Sequence, residues 1–288
     1  MRRWWQDLAD LVLPADCAGC GAPRTALCPR CRAALDGGAS RRVRPAPEPA
    51  GLPAVHAVAP YGDAVRALLL AHKERGALVL TGVLGTALAG AVRAGLGGAG
   101  AGDGPAGRPC GPVLLVPVPS APWAVRARGH DPVRRMALAA ARELRRTGTP
   151  ARVAAVLRQR RAVADQAELD ARRRLENLAG ALEVAAGGGR LLGGGRVVLV
   201  DDLMTTGASL AEAARAVREA AAFRRDGATS VYEAATREGR GERRINGRPE
   251  RGKWVHLAPE IAARHALGET LHAAVVAAPR DSFAIGRN

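Results

Sequence analysis

The hydrophobic positions of this chain fall into short apolar runs that alternate with segments of helical periodicity. Runs typical of buried strands occupy positions 55–61, 113–120, 151–157, 182–184, 197–200 and 273–279. Apolar side chains recur at helical spacing over positions 63–73, 132–146 and 210–222. This alternation predicts an α/β fold with a mostly parallel sheet flanked by helices.

The run that ends at Val200 leads directly into two adjacent carboxylates, Asp201 and Asp202. If the strand continues through them, their side chains diverge, and they can accept hydrogen bonds from a vicinal diol or hold a metal ion through water. A turn rich in hydroxyl groups follows, with the residues Thr205, Thr206, Gly207, Ala208 and Ser209. Free N–H groups and the helix dipole suit such a turn to a phosphate monoester. A helix cap preceded by two solvated aspartates is the alternative.

Four of the five cysteines form two C-x2-C pairs, Cys17 with Cys20 and Cys28 with Cys31. Two such pairs can present four thiolates to one tetrahedral Zn²⁺ ion. Two disulfides or a redox pair are the alternatives, but a cytosolic setting disfavours stable disulfides, and a thioredoxin-type motif needs a single pair beside a βαβ unit. We therefore predict a structural zinc ribbon.

Charge and composition widen the choice of partners. The formal net charge is +16, which attracts polyanions such as nucleic acid, an anionic membrane or a pyrophosphorylated substrate. An arginine-rich coding bias, with the arginine side chains on solvent-exposed surfaces, is an alternative explanation of this net charge. Lys73 and Arg75 lie at the end of the first predicted helix, where they complement the helix dipole. A phosphate contact by Lys73 is the alternative.

Neither of two apolar segments predicts a membrane span. Residues 76–92 are uncharged but slightly short, so we predict a packed helix. Residues 4–13 form an amphipathic helical pattern, and Asp7 and Asp10 interrupt it too early for a signal sequence. We expect a cytoplasmic protein without a membrane span.

The domain organisation follows from these patterns. We predict an N-terminal helix and zinc ribbon over residues 1–36, a proline- and glycine-rich linker over 37–54 and a main domain over 55–288. A basic insert at 223–272 separates the last two predicted elements of that domain. An inert insertion, a substrate hood and a nucleic-acid contact all fit this insert.

The central run, residues 198–209, resembles the phosphoribosyl-diphosphate signature of type I phosphoribosyltransferases. Combined with the double cysteine ribbon, it is similar to ComF/GntX-type proteins, which are associated with competence and DNA uptake. Further points of similarity lie at residues 61–73, 116–119, 128–130 and 166–177. The resemblance implies a type I phosphoribosyltransferase-like sheet with a small N-terminal zinc ribbon.

The resemblance also implies roles for individual residues. Asp201 and Asp202 would contact the ribose hydroxyls of phosphoribosyl diphosphate, or of another sugar phosphate, with Mg²⁺ nearby. The turn from Thr205 to Ser209 would hold the 5-phosphate. Arg126 and Arg128 would donate to the pyrophosphate. The residues that would reach in from a flexible lid are Gln166, Arg172, Arg174 and Asn177.

Two departures from the family pattern limit the substrate and the mechanism. Thr205 stands where the 6-oxopurine salvage branch has an aspartate, which argues against hypoxanthine or guanine as acceptor. His130, Asp131 and Pro132 replace the aromatic-Asn-Gln usual after Arg-Gly. Two functions therefore stay open: a phosphoribosyltransferase, or a non-catalytic adaptor that binds single-stranded DNA or a DNA-uptake partner.

Overall fold

A computed structural model describes residues 16–36, 38–97, 111–161, 171–193, 195–222 and 271–283. The strands are β1 (Arg41–Val43), β2 (Ala54–Pro60), β3 (Val113–Pro117), β4 (Ala151–Val153), β5 (Leu157–Gln159), β6 (Leu182–Val184), β7 (Arg196–Leu203) and β8 (His272–Ala278). Six of them form one sheet in the order β1-β2-β8-β7-β3-β4, in which only β1 is antiparallel to its neighbour. β5 and β6 form a separate antiparallel pair.

The helices flank this sheet, so the predicted α/β class is confirmed. They are α1 (Pro29–Asp36), α2 (Asp63–Glu74), α3 (Thr81–Gly95), α4 (Pro122–Arg128), α5 (Pro132–Arg146), α6 (Ala171–Leu178), α7 (Gly188–Leu192) and α8 (residues 208–222). One-turn 3₁₀ helices lie at Leu78–Leu80 and Asp281–Phe283.

The central strand β7 shows how the sheet divides the core. Val198 and Val200 face one side, where they join the cluster that contains side chains of α3 and α5. Val197 and Leu199 face the other side and pack with α8. Because successive side chains of a strand point to opposite faces, an uninterrupted apolar run is what a strand covered on both faces requires.

Residues Leu78–Gly95 are long and apolar enough to span a membrane by composition alone, with a mean hydropathy of 1.5. In the structure α3 packs against α5 and the sheet, and Leu84, Leu88 and Val92 are fully buried. Burial in the core thus accounts for the apolar sequence, in agreement with the predicted packed helix.

Two strand predictions need correction. The run at 151–157 is not one strand, because the chain leaves the sheet after Val153 and resumes as β5 in the separate pair. The run at 113–120 ends as a strand at Pro117. Val118 still donates its N–H to the carbonyl of Val200 at 2.9 Å, and Pro119 then has no N–H group to continue the ladder.

The predicted linker is built into the fold rather than acting only as a spacer. Arg41–Val43 pairs with β2 at the sheet edge, and Val43 is buried. Arg44 then donates its backbone N–H to the carbonyl of Ser282 at 3.0 Å. The other domain limits stay predictions, and the predictions for residues 4–13, for Gln166 and for 223–270 lie outside the described residues.

Candidate functional site

The carboxyl ends of the parallel strands define the edge of the sheet where the sequence predicts a site. β7 extends through both aspartates, with Asp201 in register with Val275 and Leu203 in register with Ala277. The strand thus continues through both aspartates, but the predicted divergence of their side chains is not found, because the two carboxyl groups lie within hydrogen-bonding distance of each other. Asp202 is buried, and Asp201 is half-buried.

Asp202 forms an ion pair with Lys73 from the last turn of α2, with 2.9 Å between Nζ and Oδ2. Burial acts to raise the pKa of Asp202, but the charge of Lys73 and its hydrogen bond outweigh burial, so the pKa is lowered. The charge of Asp202 in turn raises the pKa of Lys73 against the effect of desolvation. Both groups are therefore ionised at neutral pH.

Asp201 differs from its neighbour in the direction in which its pKa is shifted. Burial and then the charge of Asp202 raise the pKa of Asp201 well above its usual value. Its Oδ1 accepts the backbone N–H of Asp202 at 2.8 Å. Two neighbouring carboxyl groups with pKa values pushed apart are typical of functional sites, and a divalent cation or a diol can use their oxygens.

The turn after β7 has the geometry of a compact helix start. Gly207 has φ of +77°, in the left-handed region that favours glycine. Thr206 Oγ1 accepts the N–H of Ala208 at 3.4 Å, and Gly207 and Ala208 are buried. Thr205 is exposed and Ser209 is half-buried, so the hydroxyl-bearing side chains line the more open side of the turn.

The segment before β2 packs against the same turn. A methyl group at Gly207 would lie 3.1 Å from Leu52 Cδ2 and 3.4 Å from Pro45 Cγ. Arg218 of α8 donates from Nη1 to the carbonyl of Gly51 at 2.7 Å. The segment 45–52 therefore supports the turn, and any side chain at position 207 would disturb that contact.

The two predicted pyrophosphate donors lie on α4, which follows β3. The guanidinium group of Arg128 forms a bidentate ion pair with the carboxylate of Glu74. Nε donates to Oε2 and Nη2 donates to Oε1, each at 2.9 Å. Arg126 is exposed. Because Glu74 follows Lys73, the end of α2 connects the acidic pair on β7 with an arginine on α4.

Lys73 is the site residue that sequence reasoning does not select. A lysine in the last turn of a helix is already explained by the helix dipole. The chain separation between Lys73 and Asp202 gives no local signal of their contact. The one usable hint is that Lys73 lies within the segment that resembles the family.

His130, which is not among the predicted site residues, has a packing environment. Its ring nitrogens face the carbonyls of Arg128 at 3.1 Å and of His72 at 3.4 Å. His72 is buried and contacts Thr81 Oγ1 through Nε2 at 3.1 Å. Burial lowers the pKa of His72 to about 4, so this ring is neutral at physiological pH.

The four cysteines of the two pairs lie together. Their Sγ atoms are all within 4.8 Å of one another, and Cys17, Cys28 and Cys31 are buried while Cys20 is exposed. Burial acts to raise the pKa of Cys17, but backbone hydrogen bonds outweigh it and lower the pKa to about 6. Four clustered sulfur ligands with a readily formed thiolate can hold a metal ion.

The cysteine cluster shares its core with α2. Cys17, Cys31 and Leu35 belong to the same buried cluster as Leu68 of α2. α1 packs against α2, and a methyl group at Gly19 would lie 3.3 Å from Leu68 Cγ. The ribbon therefore supports the helix that carries Lys73.

Two cavities among the described residues lie away from the acidic pair. One of about 630 Å³ lies between the cysteine cluster and the start of α2, and Cys20, Arg30 and Arg280 are among its lining residues. The other, of about 460 Å³, is lined by residues of α1 and β2. Neither cavity is lined by Lys73 or Asp202, which form their ion pair elsewhere.

The structure describes the predicted lid only in part. Gln166 and the side chains of Arg172 and Arg174 lie outside the described residues. Asn177 lies on α6, where its carbonyl accepts Nη2 of Arg161 at 2.8 Å. The lid therefore stays a prediction. Comparison of the sequence with protein-family models and with curated proteins finds no match.

Proposed function

We propose that this chain is a ComF/GntX-type, phosphoribosyltransferase-family protein that binds phosphoribosyl diphosphate with magnesium. The observation that carries the proposal is the acidic pair at the carboxyl edge of a parallel sheet, followed within a few residues by a glycine turn and a helix start. A sugar phosphate needs both groups, carboxylates for its hydroxyls and N–H donors for its phosphate.

Each part of the site has a role in this proposal. Asp201 and Asp202 hold the ribose hydroxyls, and the turn 205–209 holds the 5-phosphate. Carboxylate oxygens are ligands that Mg²⁺ prefers, so the acidic pair also fits the metal that accompanies a pyrophosphate. Magnesium would neutralise charge on the leaving group.

The ion pairs at the end of α2 extend this assignment. Lys73 and Arg128 are cations held by Asp202 and Glu74 in the structure. We infer that both exchange partners when the ligand binds and turn toward the pyrophosphate. Loss of pyrophosphate leaves positive charge on the ribose, so the residues act by positioning the ligand and stabilising the leaving group.

Zinc completes the proposal as a structural ion. Cys17, Cys20, Cys28 and Cys31 supply four sulfur ligands, the full set for a closed tetrahedral site. With all four positions taken, the ion has no place for a substrate. Its contribution would be to order the ribbon, and through Leu68 to fix α2.

The second candidate, a non-catalytic adaptor, is favoured by the charge of the chain. A net charge of +16 with a pI near 11.3 is typical of proteins that bind polyanions. In this case the phosphoribosyl site would act as a sensor without turnover, in a cytoplasmic protein linked to DNA uptake. Its partners would be single-stranded DNA or a component of the uptake machinery.

Calorimetry with phosphoribosyl diphosphate and magnesium tests the proposed ligand. We expect wild-type protein to bind, and an Asp201→Asn/Asp202→Asn variant to lose about tenfold or more in affinity, because charge-assisted hydrogen bonds to the ribose disappear. An Asp36→Asn/Asp281→Asn variant, with the same charge change at exposed positions, is the matched control. Equal heats for all three proteins, or none for wild type, would contradict the assignment.

A further inference from the structure

The outer edge of β6 has no neighbouring strand in the part of the chain that the structure describes, since β6 pairs with β5 alone. Arg160 donates its N–H to the carbonyl of Ala181, and Ala185 donates to that of Val156, each at 2.8 Å. Because opposite residues of an antiparallel pair alternate between bonded and non-bonded, Leu182 turns its N–H and its carbonyl away from β5. Leu182 is buried, so both groups need partners from elsewhere in the chain.

Two side chains of α8 supply these partners. Leu182 donates its N–H to Oε1 of Glu212 at 2.9 Å, and its carbonyl accepts Nη2 of Arg215 at 2.7 Å. Nε and Nη2 of Arg215 also donate to the two carboxylate oxygens of Glu212, each at 2.7 Å. One acceptor and one donor thus meet both backbone groups of a single edge residue, as a neighbouring strand would.

The ion pair of Glu212 and Arg215 is a buried contact. Glu212 is only 6% exposed. Burial acts to raise the pKa of Glu212, but the hydrogen bonds from Arg215 and Leu182 outweigh burial, so the pKa is lowered and the carboxylate is ionised at neutral pH. Glu219, the other acidic partner of Arg215, has a side chain that is 67% exposed. Because a buried charge is costly when it loses a partner, Glu212 holds Leu182 much more firmly than a surface ion pair could.

The segment that contains Leu182 packs on the turn at 205–209. Leu178, Ala181 and Ala208 form one small buried cluster, and the partly buried Leu175 packs against it. Leu178 is the last residue of α6, whereas Ala208 belongs to the turn. The end of α6 and the start of β6 therefore form a wall of this turn.

The start of α8 connects the turn with this wall. Ala211 donates its N–H to the carbonyl of Gly207 at 2.9 Å, which joins the turn to the first turn of the helix. Glu212 is the next residue, and it binds Leu182. A change at the edge of β6 would therefore reach the turn within one turn of helix.

We propose that Glu212 and Arg215 are positioning residues for the turn at 205–209. By binding both backbone groups of Leu182, they hold β6 and the end of α6 against Ala208 and keep the turn in one conformation. Without them the backbone groups of Leu182 would have to open to water, and the small cluster around Ala208 would loosen. The consequence for phosphate binding rests on the function proposed above, whereas the positioning of the turn does not.

Hydrogen exchange of the ligand-free full chain tests the positioning. Protection factors of the Leu182 and Ala211 amides are expected to fall at least about tenfold in Glu212→Ala. Glu212→Gln should lie between this variant and wild type, since its carboxamide oxygen can still accept the N–H of Leu182, and it keeps the test valid if Glu212→Ala does not fold. Glu219→Ala removes only the exposed partner of Arg215 and should match wild type. Unchanged protection of Leu182 in both Glu212 variants would overturn the contact, and unchanged protection of Ala211 would overturn the positioning of the turn.

Calorimetry with phosphoribosyl diphosphate and magnesium tests the consequence for the ligand. Glu212→Ala is expected to bind about tenfold more weakly than wild type, and Glu219→Ala to bind like wild type. By reciprocity, the ligand should raise the protection of Leu182 in wild type and much less in Glu212→Ala. Equal affinity in Glu212→Ala and wild type would show that the pair supports only the fold, and would overturn its link to the ligand. No binding by wild type would instead remove the function proposed above, and the exchange data would still decide whether the pair positions the turn.

Discussion

If the proposed zinc site is correct, replacing Cys28 with serine is expected to abolish metal binding and lower the free energy of unfolding by about 4 kcal/mol or more. The cost is large because Cys28 is buried in the cluster that also contains Leu35 and Leu68. Without a metal, a segment this short cannot hold its fold by core burial alone. Metal analysis and thermal unfolding of protein purified without chelator measure the two effects.

The matched control for this variant is Arg32→Gln, an exposed change one residue after Cys31. It should keep one metal ion per chain and unfold like wild type. A Cys28→Ser protein that retains a full equivalent of metal would contradict the four-cysteine site. A variant that loses the metal but unfolds like wild type would contradict the structural role.

Replacing Lys73 with methionine is expected to weaken the binding of magnesium-loaded phosphoribosyl diphosphate by roughly tenfold to a hundredfold. The reason is that a cation beside the acidic pair would be lost where a highly charged pyrophosphate is proposed to bind. The free energy of unfolding should also fall, by about 1–2 kcal/mol, because buried Asp202 loses its partner. The side chain of Lys73 is 34% exposed, so solvent screening keeps this cost below that of a fully buried pair.

Lys73→Arg and Arg75→Met serve as controls for charge and for position. Lys73→Arg should keep most of the binding, and Arg75→Met, at an exposed neighbour, should behave like wild type.

In wild type the contribution of Asp202 to stability is present above its unfolded pKa of about 3.9 and is lost as the pH falls through its lowered folded pKa. Lys73→Met should reduce this acid sensitivity. Unchanged ligand affinity in Lys73→Met would show that the lysine only compensates Asp202.

The elements that the sequence predicts best are those whose pattern is local. Apolar side chains recur at helical spacing over residues 132–146, and a proline lies in the first turn. The helix α5 spans those residues. The strand before the acidic pair is covered on both faces, so its apolar run is unbroken. The position of the acidic pair at a carboxyl edge follows from this strand alone.

The features that the sequence does not predict depend on contacts between distant segments. β1 is a three-residue edge strand in a proline-rich segment, and only its pairing with β2 makes it a strand. The ribbon appears separate in sequence, but its cysteines share a core with Leu68. The contact between Lys73 and Asp202 joins residues far apart in the chain. Local propensity carries no information about such contacts.

Hydrogen exchange of the turn at 205–209 tests the central claim most directly. With saturating phosphoribosyl diphosphate and magnesium, the backbone amides of this turn should exchange at least about tenfold more slowly, because the 5-phosphate would accept their N–H groups. Peptides from α5 on the far side of the sheet should not change. Saturated binding that leaves the exchange of this turn unchanged would contradict the assignment of the site.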